Sequence, residues 1–103
     1  MYIVIWKYKV KAEDREAFEG AYGRGGEWTH LFRKSPKFVG TKLYKGEGNI
    51  YLLIDAWDNR QSYLDFLTVF SDQYNSLCIK YKYLFEEEIQ IGDFSEIQSE
   101  LSS

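Results

Sequence analysis

The sequence predicts an α+β fold in which a four-stranded antiparallel sheet carries its helices on one face. Three observations predict it. Residues 2–10 alternate as a strand does, a short turn joins two apolar strands between residues 37 and 57, and apolar residues recur at helical spacing from 63 to 81. The resulting order is strand, helix, strand, strand, helix, strand, which suits the ferredoxin-like βαββαβ arrangement.

The first half of the chain contains one strand and two helical segments. In the strand, Tyr2, Val4, Trp6, Tyr8 and Val10 share one face, and Ile3 and Ile5 share the other. The segment "AEDREAFEGAYG" predicts a helix, because acidic residues in its first turn favour the helix dipole and a glycine stands at its end. A short helix is predicted from about residue 27 until the Ser-Pro pair at 35–36.

The second half begins with a hairpin. Strands are predicted over 37–44 and 50–57, joined by the turn "KGEGN". Asp58, with Gln61 three residues later, fits a helix N-terminal cap, and the helix that follows is expected to break near Ser71 and Asp72. A fourth strand is predicted over 84–91. We therefore expect one domain over residues 1–94 and a polar, frayed tail over residues 95–103.

Composition and charge narrow the function classes. The chain has 103 residues, 18% of them aromatic, which suggests either a core of large residues or a lined pocket. A net charge of −3 provides no basic face for nucleic acid. The single cysteine, Cys78, excludes an intrachain disulfide framework, and we expect it to be a buried, inert thiol. The N-terminal segment "MYIVIWKYK" fits neither a signal peptide nor a membrane span, so a cytoplasmic location is expected.

Both faces of the predicted sheet are apolar at the centre. In the third strand, Leu53, Asp55 and Trp57 point to one face and the aliphatic residues point to the other. Right-handed crossovers place both helical segments on the same side, so the opposite face has no helix to cover it. We predict a homodimer through that face, whose aliphatic residues are Ile3, Ile5, Ile50, Leu52 and Ile54. The alternative is a monomer whose tail folds over the face.

The segment "IDAWDNRQSYLDF" is similar to the acid–x–Trp–Asp/Glu segment of the antibiotic biosynthesis monooxygenase superfamily. The resemblance covers residues 1–92 in element order and length, and this segment alone in side-chain detail. It implies that two ferredoxin-like chains pair into a dimeric α/β barrel. It also implies a pocket between sheet and helices for a small aromatic or polyketide-like substrate, with no metal or flavin cofactor.

This chain has only some of the functional residues found in the characterised branches of the superfamily. Its cofactor-independent oxygenases place an Asn four residues before a strand-end Trp and a Tyr six residues after it. Trp57 and Tyr63 match, whereas Leu53 holds the Asn position. The haem-degrading branch uses a first-strand Asn, a helix Trp and an iron-binding His. The corresponding positions hold Trp6, Phe66 and Ser76, so haem degradation is disfavoured.

Two side chains are candidates for proton transfer. His30, the only histidine, could act as a general base near a cavity, or it could be a structural histidine. Asp55 points toward the helices, where burial would raise its pKa and allow it to remove a proton from a phenol or enol. The alternative for Asp55 is a structural hydrogen bond. The acidic run "FEEEIQ" is interpreted as a solvated strand edge.

The aromatic residues predict the ligand-binding surface. If the protein is catalytic, Trp57 and Tyr63 would position the substrate and His30 or Asp55 would assist proton removal before O₂ attack. The residues expected to line the pocket are Trp6, Tyr8, Trp28, Tyr51, Leu53, Phe66 and Tyr74. Their alternative role is core packing. The alternatives to an enzyme are a non-catalytic module that binds a small hydrophobic molecule and a structural dimerisation module. A cavity of several hundred Å³ would favour ligand handling, while a solid interior would favour the structural module.

Overall fold

A computed structural model describes residues 1–101 and contains one four-stranded antiparallel sheet in the order β2-β3-β1-β4. The strands are β1 (Tyr2–Val10), β2 (Phe38–Lys45), β3 (Ile50–Trp57) and β4 (Phe85–Ser95). Each strand is antiparallel to its neighbours. The connection from β1 to β2 therefore passes over β3, and the connection from β3 to β4 passes over β1. This is the predicted ferredoxin-like topology.

The helices lie in these two connections. They are α1 (Arg15–Tyr22), α2 (Glu27–Phe32), α3 (Arg60–Val69) and α4 (Ser71–Tyr81), with 3₁₀ turns at Ala12–Asp14 and Lys82–Leu84. Gly23 ends α1 as predicted. None of the helices in the described part of the chain has the length and apolarity needed to cross a membrane.

One face of the sheet packs against the helices and forms the core. Alternation along β3 is complete: Tyr51, Leu53, Asp55 and Trp57 are buried, while the residues between them are half-buried. The ring of Trp57 packs against those of Phe32 and Phe66, which come from α2 and α3. The predicted assignment of β3 residues to the helix-facing side is therefore confirmed.

The other face of the sheet remains partly open. Ile3, Ile5, Ile50, Leu52 and Ile54 are half-buried in the single chain. The edge strand β4 adds Ile89, which is 47% exposed, and Phe94, which is 51% exposed and lies opposite Ile3. An aliphatic surface of this kind, continuous over three strands, is larger than isolated surface apolar residues would produce.

Several predicted boundaries differ from the structure; β2, for example, runs one residue later at each end than the predicted 37–44. Asn59, not Asp58, caps α3, because its side chain accepts a hydrogen bond from the Ser62 amide at 2.9 Å. The predicted break between α3 and α4 is confirmed, because it falls at Phe70, next to Ser71.

The fourth strand is longer than predicted because it pairs with β1 up to Tyr2, opposite Ser95. Ser95, the first residue of the tail predicted over 95–103, is therefore the last residue of β4. Residues 96–100 have no regular secondary structure. Residues 102 and 103 of that predicted tail lie outside the described residues.

Candidate ligand site between the sheet and the helices

Asp55 is a carboxyl group inside the layer between sheet and helices. It is 6% exposed, and the Thr41 hydroxyl on the neighbouring strand donates a hydrogen bond to its Oδ1 at 2.9 Å. Burial raises the pKa of Asp55 to about 7, and the hydrogen bond from Thr41 opposes that rise. A carboxyl group with this pKa exchanges a proton readily near neutral pH, as a general acid or base must.

Asp55 opens on an interior cavity of about 40 Å³. Five residues predicted as ligand-binding lie around the same cavity: Trp6, Tyr8, Trp28, Leu53 and Tyr74. The volume holds a water molecule or a small polar group, since a water needs only about 10–15 Å³ and benzene occupies cavities of about 150 Å³. The cavity is therefore much smaller than the several hundred Å³ that would have favoured a whole substrate inside.

The cavity is also lined by four residues that were not predicted from the sequence: Tyr22, Phe32, Cys78 and Glu88. Glu86, Glu87 and Glu88 are all exposed, which confirms the interpretation of the acidic run as a solvated edge, and Glu88 also lines the cavity. Its register could have revealed it, because Glu88 lies opposite Tyr8, which points to the helices. Cys78 was expected to be buried, and it is half-buried with a pKa that burial raises.

The phenols around the cavity are held in their neutral form. Burial raises the pKa values of Tyr8, Tyr22 and Tyr74, and the charge of Glu88 raises them further. Neutral hydroxyls can both donate and accept hydrogen bonds. The cavity thus combines two carboxyl groups, Asp55 and Glu88, with three phenols that keep their protons at physiological pH.

Trp57 and Tyr63 lie beside the cavity rather than around it. Trp57 is fully buried in ring-to-ring contacts, and its indole N–H has no hydrogen-bond partner within residues 1–101. The Tyr63 ring is 5.5 Å from that of Trp57 and 5.8 Å from that of Tyr2. Burial, together with the charges of Asp55 and Asp93, raises the pKa of Tyr63 to about 12. Contact of Tyr63 with a ligand in the cavity would require a larger opening.

Tyr51 and Phe66, which were also predicted to line the pocket, are core residues in the structure. The Tyr51 hydroxyl donates to the Glu19 carboxylate at 2.5 Å, and its ring packs against that of Phe18. Phe66 packs against the rings of Trp57 and Phe70. Both side chains fill space by packing, which is the alternative that the sequence left open.

His30 is placed apart from Asp55. It is exposed and lies in a surface groove of about 480 Å³ between α2 and α4, whose other residues include Glu27, Lys34 and Asp72. The short helix α2 buries its Trp28, Leu31 and Phe32 side chains, so His30 points outward. The structure does not bring the two candidate bases together. No group of three or more metal-binding side chains is found within the described residues.

A second groove continues the cavity outward. It has a volume of about 490 Å³ and lies between α4 and β4, lined by Cys78, Ile79, Lys82, Phe85, Glu86 and Glu88. Cys78 and Glu88 line both the cavity and this groove. These two residues therefore form the boundary between the interior and the outer surface.

The fold is that of the antibiotic biosynthesis monooxygenase structures, which confirms the predicted resemblance at the level of architecture. The similarity extends over the whole chain, because these solved structures align with nearly all of it. HapK from Hahella chejuensis is 14% identical with a TM-score of 0.74, covering 100% of this chain and 99% of its own. SnoaB from Streptomyces nogalater, a cofactor-independent oxygenase, is 18% identical with a TM-score of 0.68 and covers 98% and 97%.

A candidate antibiotic biosynthesis monooxygenase from Deinococcus radiodurans is similar at 12% identity and a TM-score of 0.73, covering 100% of this chain and 99% of its own. No protein-family model matches the sequence, and no curated protein matches it significantly. At these identities the likeness establishes the fold, and the activity has to be argued from the side chains.

Proposed function

We propose that the chain is a cofactor-independent monooxygenase of the antibiotic biosynthesis type that acts on a small aromatic or polyketide-like substrate. The observation that carries the proposal is Asp55, a buried carboxyl group with a pKa of about 7 at a cavity lined by aromatic residues. The fold shared with SnoaB, a cofactor-independent oxygenase, supports the same class.

In the proposed reaction, ionised Asp55 accepts a proton from an acidic CH₂ group of the substrate, or from the hydroxyl of its enol form, which gives the same carbanion. The carbanion that results attacks O₂, and loss of water from the peroxide leaves a ketone, so that a CH₂ group and O₂ give a C=O group and water. The substrate supplies all four electrons, and no further reductant is needed. Trp57 and Tyr63 would act as positioning residues, because they pack against each other beside the cavity rather than around it.

The proposal includes a homodimer and a cytoplasmic location. The half-buried aliphatic face formed by β1 and β3, with Ile54 near its centre, supports a partner of the same sequence. A second copy related by two-fold symmetry would cover each face with the other.

The small cavity favours a second candidate, a structural dimerisation module; a non-catalytic module that binds a small hydrophobic molecule outside the cavity is the remaining alternative. A space of about 40 Å³ is less than an aromatic ring needs. In that case Asp55 would be a structural carboxyl held by Thr41.

Oxygen consumption with a panel of anthrones and quinols separates these functions. We expect turnover by the native chain and a loss of at least about 100-fold in Asp55→Asn, the usual contribution of a general base. His30→Ala is the matched control and should keep its rate, because His30 lies in another groove. Native rates in Asp55→Asn would remove the base from the proposal, and no consumption with any substrate would favour the binding module.

A further inference from the structure

The interior cavity and the groove between α4 and β4 are adjacent. Cys78 and Glu88 line both, so the two spaces meet at these side chains. We propose that they are two compartments of one ligand site, which takes an elongated molecule with a small hydroxyl-bearing head inside and an uncharged apolar chain outside. The inference rests on the proposed function, because the head is the part that Asp55 would deprotonate.

The two volumes support an elongated ligand. The cavity of about 40 Å³ is well below the roughly 150 Å³ of an apolar cavity that binds benzene. The groove, at about 490 Å³, has room for the remainder of a molecule. A whole ring would not fit beside Asp55, whereas a molecule that inserts only its terminal hydroxyl group, and keeps its ring and chain in the groove, would.

The polar groups of the cavity define the head. Asp55 and Glu88 provide carboxylate oxygens, which accept hydrogen bonds. The indole N–H of Trp28 is buried and makes no hydrogen bond of good geometry in the described part of the chain, although it is near enough to Tyr22 to lower the pKa of that phenol. A buried donor without a well-placed partner is costly, so a ligand that offers it an acceptor gains affinity. A hydroxyl group satisfies both requirements, because it donates to a carboxylate and accepts from the indole.

The groove defines the chain. Ile79 is 78% exposed on α4 and lines the groove with the half-buried ring of Phe85. The groove has no excess charge, because Glu86 pairs with Lys9 at 3.4 Å. The lining otherwise holds one carboxylate, Glu88, and one ammonium group, Lys82, so a charged tail gains nothing there. An uncharged alkyl or alkenyl chain would cover Ile79 and leave these charges in water.

Binding of 4-alkylphenols tests the proposal. Isothermal titration calorimetry with phenol, 4-propylphenol and 4-heptylphenol should show affinity rising roughly twofold for each added methylene, since a fully buried one gives about fourfold. Bound 4-heptylphenol should also slow the alkylation of Cys78 by iodoacetamide, followed by intact mass, because Cys78 lies between the compartments and is the chain's single cysteine.

Two matched variants locate the chain. Ile79→Ser should abolish most of the gain from propyl to heptyl, while Val69→Ser should keep it, because Val69 is 71% exposed on α3 and does not line this groove. Neither change removes a buried side chain, so both variants should fold. The proposal is overturned if affinity is independent of chain length, if Ile79→Ser behaves as the native chain does, or if the phenols leave Cys78 alkylation unchanged.

Calorimetry separates this inference from the oxygenase proposal, because it is made without O₂ turnover. Length-independent binding together with oxygen consumption on anthrones would overturn the elongated ligand alone. Chain-length-dependent binding without any oxygen consumption would support the site and leave a binding module as the function.

Discussion

Asp55 shows how much of a residue's chemistry depends on its surroundings. Alternation along β3 places it on the helix-facing side, and that much follows from the sequence. Its pKa of about 7 depends on burial and on the Thr41 hydroxyl of the neighbouring strand. Thr41 lies beside Asp55 because of the register in which β2 pairs with β3. The residue pattern within either strand does not determine that register.

His30 shows the opposite case. Helix α2 spans only Glu27–Phe32, which is less than two turns. Its apolar residues do not all fall on one side of the helix. Too few positions are available to define an amphipathic face, so the sequence could not decide whether His30 points inward. The structure decides it, because Trp28 and Phe32 occupy the interior.

The raised pKa of Asp55 predicts how stability depends on pH. An aspartate carboxyl has an ordinary pKa of 3.8, and folding raises it to about 7, so between these values the folded chain holds a proton that the unfolded chain releases. The free energy of unfolding should therefore fall as pH rises through this window. The fall amounts to a few kcal/mol at about 1.4 kcal/mol per pH unit. Urea denaturation at about pH 5 and about pH 8 measures it.

Asp55→Asn provides the control for that prediction. An amide does not ionise in this range, so this contribution to the pH dependence should disappear in the variant while the contributions of other groups remain. The assignment of the raised pKa to Asp55 would be wrong if the native chain and the variant lost the same stability between the two pH values.

At the scale of secondary structure, the N-terminus of α3 shows why caps are hard to place. Asp58 and Asn59 are adjacent, and either residue type can cap a helix. The Asn59 backbone is extended at φ −155° and ψ 172°, which lets its side chain reach the Ser62 amide. Sequence spacing locates such a boundary to within a residue or two.

Substituting the cap tests this correction. Asn59→Ala should lower the free energy of unfolding by about 1 kcal/mol, because the Ser62 amide loses its acceptor. Asp58→Ala is the matched control and should change it by less than about 0.5 kcal/mol, as exposed surface substitutions do. Chemical denaturation of both variants measures the difference. Equal losses, or a larger loss for Asp58→Ala, would return the cap to Asp58.

The edge strand β4 exceeds its predicted length for a long-range reason. Tyr2 pairs with Ser95 across the sheet, and its hydroxyl donates to the Asp93 carboxylate at 2.5 Å. These partners are far apart in sequence, at opposite ends of the chain. Local alternation is interrupted by Gly92, so the pattern ends early at Ile91, while pairing with β1 continues the strand.

At the scale of the whole molecule, the two faces of the sheet have different coverage. The helix-facing side is buried, as the residue pattern predicted, and the aliphatic side remains half-buried in the single chain. Fully burying an aliphatic side chain contributes about 1.5–3 kcal/mol, so covering several half-buried ones is worth several kcal/mol per subunit. The sequence could predict which face is open, because alternation and crossover handedness determine it.

The proposed dimer predicts the effect of a charge at the centre of that face. Ile54 lies opposite Ile5 on one side and Lys42 on the other. Ile54→Lys would bring two equivalent charges toward each other across a two-fold axis, where their desolvation is unfavourable. We expect the native chain to sediment as a dimer at about 10 μM, and the variant to sediment as a folded monomer at that concentration.

Val69→Lys is the control for this experiment, because Val69 is 71% exposed on the helical side of the molecule. It adds the same charge and should remain dimeric. Circular dichroism distinguishes a folded monomer from an unfolded chain in the Ile54 variant. A native chain that is monomeric at about 100 μM would contradict the dimer, and a dimeric Ile54→Lys would place the interface on another surface. In either outcome another partner would have to cover the aliphatic face, because exposure of a large apolar surface to water is unfavourable.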